Sequence, residues 1–214
     1  FSGPEQSLEI LFDENQNCHY LNVSDRLFLE GKWAIESGHV NPTALSSSEQ
    51  RELFELAERA AKALGVTFGA FKMDTIWTQD GPRILEVTAR LSGGFHCQYT
   101  TPLATGGNHI KAALDLAIGN KLDLADIRPK WQRCAVALSA FPPTGKVIQI
   151  KGVEDALEVK GVKHIFLRVK AGDVIQSYHN CADRPAFVIA VGDTREEAIK
   201  NVQNGLAALK IETT

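Results

Sequence analysis

Residues 69–90 constrain this chain more than any other stretch. Gly-Ala-Phe-Lys-Met-Asp-Thr-Ile-Trp-Thr is followed by Gln79-Asp80-Gly81 and then by Pro82-Arg-Ile-Leu-Glu-Val-Thr-Ala-Arg90. Two β-rich runs around an Asp-Gly turn predict a hairpin. With Gln79, Asp80 and Gly81 as the loop and Gly81 left-handed, Thr78 pairs with Pro82, and the same register sets Asp74 opposite Glu86. Like charges directly opposite in a sheet destabilise it. The pair therefore calls for a compensating partner, and a divalent cation held by oxygen ligands is the usual one. The period of two puts Lys72, Ile76, Ile84, Thr88 and Arg90 on the same face. Carboxylates, a cation and small polar groups on one face read as a site. A solvated strand face, with Arg83 and Lys72 as counter-charges, is the alternative.

The remainder of the chain is that of an ordinary globular protein. With 214 residues, 44% hydrophobic and 23% charged, it can bury one or two cores. A net charge of −3 gives no general attraction to nucleic acid or to anionic membranes. There is no apolar run long enough for a membrane helix, and the start lacks the pattern of a signal peptide. Cys18, Cys97, Cys134 and Cys181 are far apart and form no Cys-x-x-Cys or Cys/His cluster. Neither a zinc site nor a disulfide framework is implied, and reduced thiols in the cytoplasm are the simplest account.

Local signals divide the chain. Leu8–Phe12 and Cys18–Val23 read as strands around the turn at 14–17, and 26–43 reads as loop because of Gly31, Gly38 and Pro42. Ser46-Ser-Ser-Glu49 is a capping box that opens a helix. Its stripe is Leu53, Leu56, Ala57, Ala60, Ala61 and Leu64, and Gly65 ends it. After the hairpin, Ser92-Gly-Gly94 reads as a turn, and 105–108 caps a helix that runs to Ile118. The segment 126–131 reads as a linker. Beyond it, 134–141, 147–151, 162–169 and 186–191 read as strands, with a last helix over 194–209. Trp77 alternates away from the carboxylate face and is expected to pack in the core.

The run Asp74…Ile84-Leu-Glu-Val-Thr-Ala-Arg-Leu-Ser-Gly-Gly94 resembles the metal and phosphate motif of the ATP-grasp ligase superfamily, in which an acidic residue on one strand precedes Glu-x-Asn-x-Arg on the next. The first strand, with Ser7 and Glu9, is similar to the one that follows the nucleotide lid in these enzymes, and 183–198 is similar to the C-terminal subdomain of biotin carboxylases. The fold this implies is α+β. Residues 1–128 would be the C-terminal half of an ATP-grasp domain, an antiparallel sheet with flanking helices, and 129–214 a smaller strand-rich α+β subdomain.

The resemblance also implies roles. Asp74, Glu86 and Thr88 would bind magnesium or manganese, with Thr88 standing where the family commonly has Asn. Glu9, Ile76 and Glu86 would contact ATP, and Ile76 would lie against the adenine. Arg90 would be catalytic and would stabilise the reacting centre, while Ser92, Gly93, Gly94 and His96 would bind substrate. A plain turn at the glycine pair and an exposed loop histidine are the alternatives for those positions. The implied reaction is ATP-dependent ligation of a small-molecule carboxylate to an amine (or thiol) through an acyl phosphate. The partners are small molecules, not nucleic acid or membrane, and a homodimer is one assembly open to it. The family's N-terminal domain and lysine-bearing lid do not precede residue 1, so the chain reads as a C-terminal piece that is inactive alone. A biotin-carboxylase-like enzyme is the second reading, although Leu91-Ser-Gly-Gly94 lacks the Gln-Val-Glu-His run of carboxylases. A non-catalytic module derived from the fold is the third, and Thr88 is its main support.

Overall fold

The structure, a computed structural model, describes residues 2–214. In chain order the first elements are β1 (Glu5–Phe12), β2 (Cys18–Phe28), β3 (Glu36–Asn41), α1 (Ser47–Ala63), β4 (Gly69–Thr78) and β5 (Gly81–Thr88). A π-helical turn (His96–Thr100) then runs into α2 (Thr101–Thr105), followed by α3 (His109–Ala117) and α4 (Leu124–Ile127). The C-terminal region holds β6 (Cys134–Ala140), β7 (Gly145–Lys151), α5 (Val153–Glu158), β8 (Val162–Leu167), β9 (Val174–Ile175), β10 (Ala186–Gly192), α6 (Arg195–Ala208) and β11 (Lys210–Thr213). The mixed architecture, with antiparallel sheet and flanking helices, is the expected one. Two compact units result, residues 1–25 with 41–132, and residues 26–40 with 133–214.

In the first unit the strands run β5-β4-β1-β2. β1 is buried on both faces, and its two sets of side chains do different work. Leu8, Ile10 and Phe12 join Phe71 and Met73 of β4 under Leu53, Phe54, Ala57 and Ala61 of α1. On the opposite face Leu11 packs with Ala112 and Leu116 of α3, while Ser7 and Glu9, of the same parity, extend that face as polar groups. One strand thus carries a hydrocarbon core on one side and a buried polar row on the other. Helix α1 opens with the predicted capping box, Ser46 accepting from the Glu49 amide while Glu49 accepts from the Ser46 amide. Its stripe differs at two places. Phe54 belongs to it and stacks on Tyr20 at 4.7 Å, whereas Leu64 ends the helix at 62% exposure.

The second unit pairs β6 with β10 and β10 with β8, all antiparallel, with α5 and α6 closing a core of Val136, Val162, Val188, Ala198 and Val202. Gly205 lets α6 approach closely, since a Cβ there would lie 2.8 Å from Val162 and 2.9 Å from Val188. A small sheet runs β11-β7-β9.

The loop expected over 26–43 is mostly strand. β2 continues to Phe28, and 36–41 forms β3. Gly38 was misleading because it is a strand glycine of the close-approach kind, where a Cβ would lie 2.1 Å from the Ala137 carbonyl oxygen. The segment 126–131 is also more fixed than a linker. Its start is helical, Lys130 donates to the Thr105 carbonyl at 2.7 Å, and Trp131 Nε1 donates to Leu103 at 3.0 Å. Ser46→Ala should lower the stability of the protein by about 1 kcal/mol, read from the midpoint of urea unfolding followed by circular dichroism.

Candidate active site

The polar row on β1 faces a polar row on β4. Register pairs Ser7 with Asp74, Glu9 with Lys72, and Glu5 with Ile76. On the other side of β4, Lys72 pairs with Thr88 and Asp74 with Glu86. The predicted apposition of Asp74 and Glu86 is therefore present, although the hairpin reaches it by another route. Thr78 pairs with Gly81, not Pro82, so Gln79 and Asp80 alone form the loop. Gly81 keeps the expected left-handed φ of +92°. A β-bulge between Asp74 and Thr75 takes up the difference, placing Leu85 as the extra residue, and Ile84 pairs with Thr75. By strand parity Ile84 therefore leaves the face on which it was expected. Trp77 packs toward α1 as anticipated.

Charge compensation across the pair is supplied by Lys72. Its Nζ donates to Asp74 Oδ2 and lies 3.7 Å from Glu86 Oε1. Asp74 and Lys72 are nearly buried, with side chains 7% and 10% exposed, while Glu86 on the edge strand is 60% exposed. An ammonium thus sits between a sunken carboxylate and an open one.

Glu9 lies at the floor of the face. Its Oε1 accepts the Ser92 amide at 2.6 Å, and its Oε2 is 3.6 Å from Nδ1 of His109, at the start of α3. Both side chains are 1% exposed. Burial works to raise the Glu9 carboxyl, but the His109 ring and the Ser92 amide outweigh it and hold the group below its ordinary value. Ser92 also meets Ser7 hydroxyl to hydroxyl at 3.5 Å, and its carbonyl accepts from Cys97 Sγ at 2.8 Å. Burial pushes the Cys97 thiol up to about 12, so it stays protonated and acts as a donor.

The loop above this floor carries the remaining expected residues. Arg90 is exposed and donates to the Leu91 carbonyl at 2.9 Å. Gly93 and Gly94 are exposed at the tip, with Gly94 left-handed at φ +61°. Phe95 follows at φ +76°, a rare conformation for an aromatic residue, and opens the π-helical turn. Strained backbone and π-turns concentrate at functional loops. Ser92 and His96 are buried, at 3% and 5% exposure, so of the expected substrate residues only the glycines reach the surface of the loop. Thr101, where the π-turn passes into α2, accepts the side-chain amides of Asn22 at 3.3 Å and Asn41 at 3.1 Å, which anchors the segment from below.

Sequence reasoning missed Ser7, which the period of two from Glu9 could have found. It also missed His109, because no local signal links a helix start to a strand so far upstream. None of the four cysteines is in a disulfide. Among the described residues no helix is long and apolar enough to cross a membrane.

The fold of this chain matches that of the C-terminal part of ATP-grasp enzymes. More particularly, residues 139–214 match the family described as L-amino acid ligase C-terminal domain 2. The chain superposes on the crystal structure of L-amino acid ligase from Bacillus licheniformis with a TM-score of 0.86 and 24% identity, covering 99% of this chain and 52% of that one. In sequence it is similar to dapdiamide A synthase of Enterobacter agglomerans, 25% identical over 63% of this chain and 32% of the relative. It is also similar to the uncharacterized protein y4rH of Sinorhizobium fredii, 28% identical over 78% of this chain and 34% of the relative. The chain thus spans about a third of the length of these curated relatives.

Lys72→Met should destabilise the protein by about 3 kcal/mol, since it removes the ammonium paired with the buried Asp74 carboxylate beside Glu86. Adding Asp74→Asn to that variant should recover most of the loss. Urea unfolding of the two variants measures both effects, and a single variant as stable as the wild type would mean that Lys72 does not neutralise the pair.

Proposed function

We propose that this chain forms the C-terminal part of an ATP-dependent ligase that joins a small-molecule carboxylate to an amine through an acyl phosphate. The observation that carries the reading is the apposition of Asp74 and Glu86 beneath a loop holding Arg90 and two exposed glycines. Residues 1–128 would supply the nucleotide and metal face and 129–214 the second domain, in an assembly that could be a homodimer.

The donor set fits the implied metal. Asp74 and Glu86 are hard oxygen donors of the kind magnesium takes, and the ammonium of Lys72 between them indicates that this place accepts positive charge. Asp74 and Glu86 would hold the ion, with Thr88 and water as further oxygen donors. When bound, magnesium or manganese neutralises charge on the phosphoryl oxygens. The rest falls to the chain. Ile76, 7% exposed and on the same face as Asp74, would lie against the adenine, and Glu9 would support the nucleotide side from beneath through the Ser92 amide. A substrate carboxylate oxygen would attack the γ-phosphorus and release ADP. The amine nitrogen would then attack the acyl carbon, phosphate would leave, and the amine proton would pass to solvent.

Arg90 suits the developing charge, because a guanidinium makes paired hydrogen bonds that an ammonium cannot copy. Its present bond to a backbone carbonyl on the protein surface leaves it able to turn toward a ligand. The exposed amides of Gly93 and Gly94 suit carboxylate or phosphate oxygens, with Ser92 and His96 supporting them from below. The relatives named as ligase and synthase support this reading over a carboxylase, as does Leu91-Ser-Gly-Gly94 after Arg90.

In the full-length enzyme Glu86→Gln should abolish metal-dependent ATP turnover while the unfolding midpoint stays within a few tenths of a kcal/mol, as is usual at exposed positions. Unchanged phosphate release would remove the metal assignment. Arg90→Lys should lower kcat by about tenfold or more, equivalent to roughly 1.4 kcal/mol, with ATP affinity little changed. Weakened ATP binding with kcat preserved would make Arg90 a nucleotide ligand instead.

A further inference from the structure

Glu9 and His109 hold more in common than packing requires. Each is 1% exposed, and among the described residues Glu9 Oε2 and His109 Nδ1 are buried with no hydrogen-bond partner, although they face each other at 3.6 Å. The other carboxylate oxygen is engaged by the Ser92 amide at 2.6 Å. The ring is closely confined, for a Cβ on Gly107 would lie 3.0 Å from His109 Nε2. Asn108 caps α3 by accepting the Lys111 amide at 3.0 Å, which fixes the backbone from which His109 departs. The Ser92 amide lies directly between Arg90 and the Gly93-Gly94 tip, so whatever orients Glu9 also orients that loop.

We propose that His109 is a positioning residue, acting through Glu9 and the Ser92 amide to set the loop that carries Arg90, Gly93 and Gly94. The sequence suggests Glu9 as a nucleotide contact, but the Ser92 amide holds one of its oxygens and the other points at the imidazole. A carboxylate with one oxygen on a loop amide and the other toward an imidazole transmits the placement of α3 to the loop. The separation of 3.6 Å exceeds hydrogen-bond length, so a small inward shift of the loop would close the Glu9–His109 contact. Supporting contacts of this type commonly lengthen in the absence of substrate and tighten with it. The substrate class concerned is the carboxylate that the glycine amides and Arg90 would take, and this part rests on the ligase reading above.

The first test does not depend on activity. Amide hydrogen exchange at Ser92, measured by NMR on the purified protein, should be at least tenfold faster in His109→Leu than in the wild type. Amides of Lys72 and Asp74 in the sheet should be unaffected. His109→Asn, which keeps a donor near the position of Nδ1, should restore protection. If Leu at 109 does not fold, Glu9→Ala replaces it, with the same tenfold expectation at Ser92. Wild-type exchange at Ser92 in the Leu variant, or in its replacement, overturns the proposal, as does equal loss in the Leu and Asn variants. The second test uses ATP-dependent phosphate release by the full-length enzyme with L-amino acids as probe carboxylates. The KM for the amino acid should rise at least tenfold in His109→Leu, with a smaller fall in kcat and recovery in His109→Asn. A fall in kcat with KM unmoved also overturns it. Absence of turnover in the wild-type enzyme counts against the ligase reading alone, and the exchange result then decides the role of His109.

Discussion

The ammonium of Lys72 helps to make the candidate site compatible with a folded sheet. Asp74 is taken out of water next to Glu86, and a buried carboxylate is costly unless it is paired. Lys72, two residues before Asp74 on β4, reaches both carboxylates from the same face. The strand that supplies the negative charge thus also supplies its neutralisation, so the polar face can be assembled before any ligand arrives. Because Glu86 is largely exposed, its attraction to Lys72 is screened and contributes little to stability. The buried Lys72–Asp74 pair is the one on which the face depends.

Around that pair the two sides of β1 divide labour. Leu8, Ile10 and Phe12 supply the hydrophobic stabilisation that holds the first unit together. Ser7 and Glu9 on the reverse are carried into burial by the same backbone. Their cost is met by hydrogen bonds to the Ser92 region and by the His109 ring. Such a division ties the chemistry to a buried strand and leaves Glu86, Arg90, Gly93 and Gly94 exposed.

The parts legible in the sequence were those governed by short-range rules. The hairpin followed from an Asp-Gly turn between β-rich runs, α1 from its capping box, and the C-terminal strands from their apolar runs. What escaped was set by long-range geometry. Gly38 reads as a loop residue in isolation, and only the close approach of another strand makes it a strand residue. The bulge at Leu85 has no signature in residue types, so the loop was read one residue too long even though Asp74 and Glu86 were paired. His109 and Ser92 are brought to Glu9 by tertiary packing, and alternation along a strand carries no information about which distant helix will cover it. The burial of Ser92 and His96, read from the sequence as a turn residue and a loop histidine that bind substrate, has the same origin.

The bulge also separates two properties that a plain ladder would bind together. In an uninterrupted hairpin, adding or removing one residue at the tip would shift every pair behind it and turn the carboxylates to opposite faces. Here the irregularity at Leu85 lies between the tip and the site, so the pairing of Asp74 with Glu86 has already been decoupled from the turn by one residue. Continued without the bulge, the pairing set by the Gln79-Asp80 tip would bring Leu85 opposite Asp74, so the extra residue is what places both carboxylates on one face.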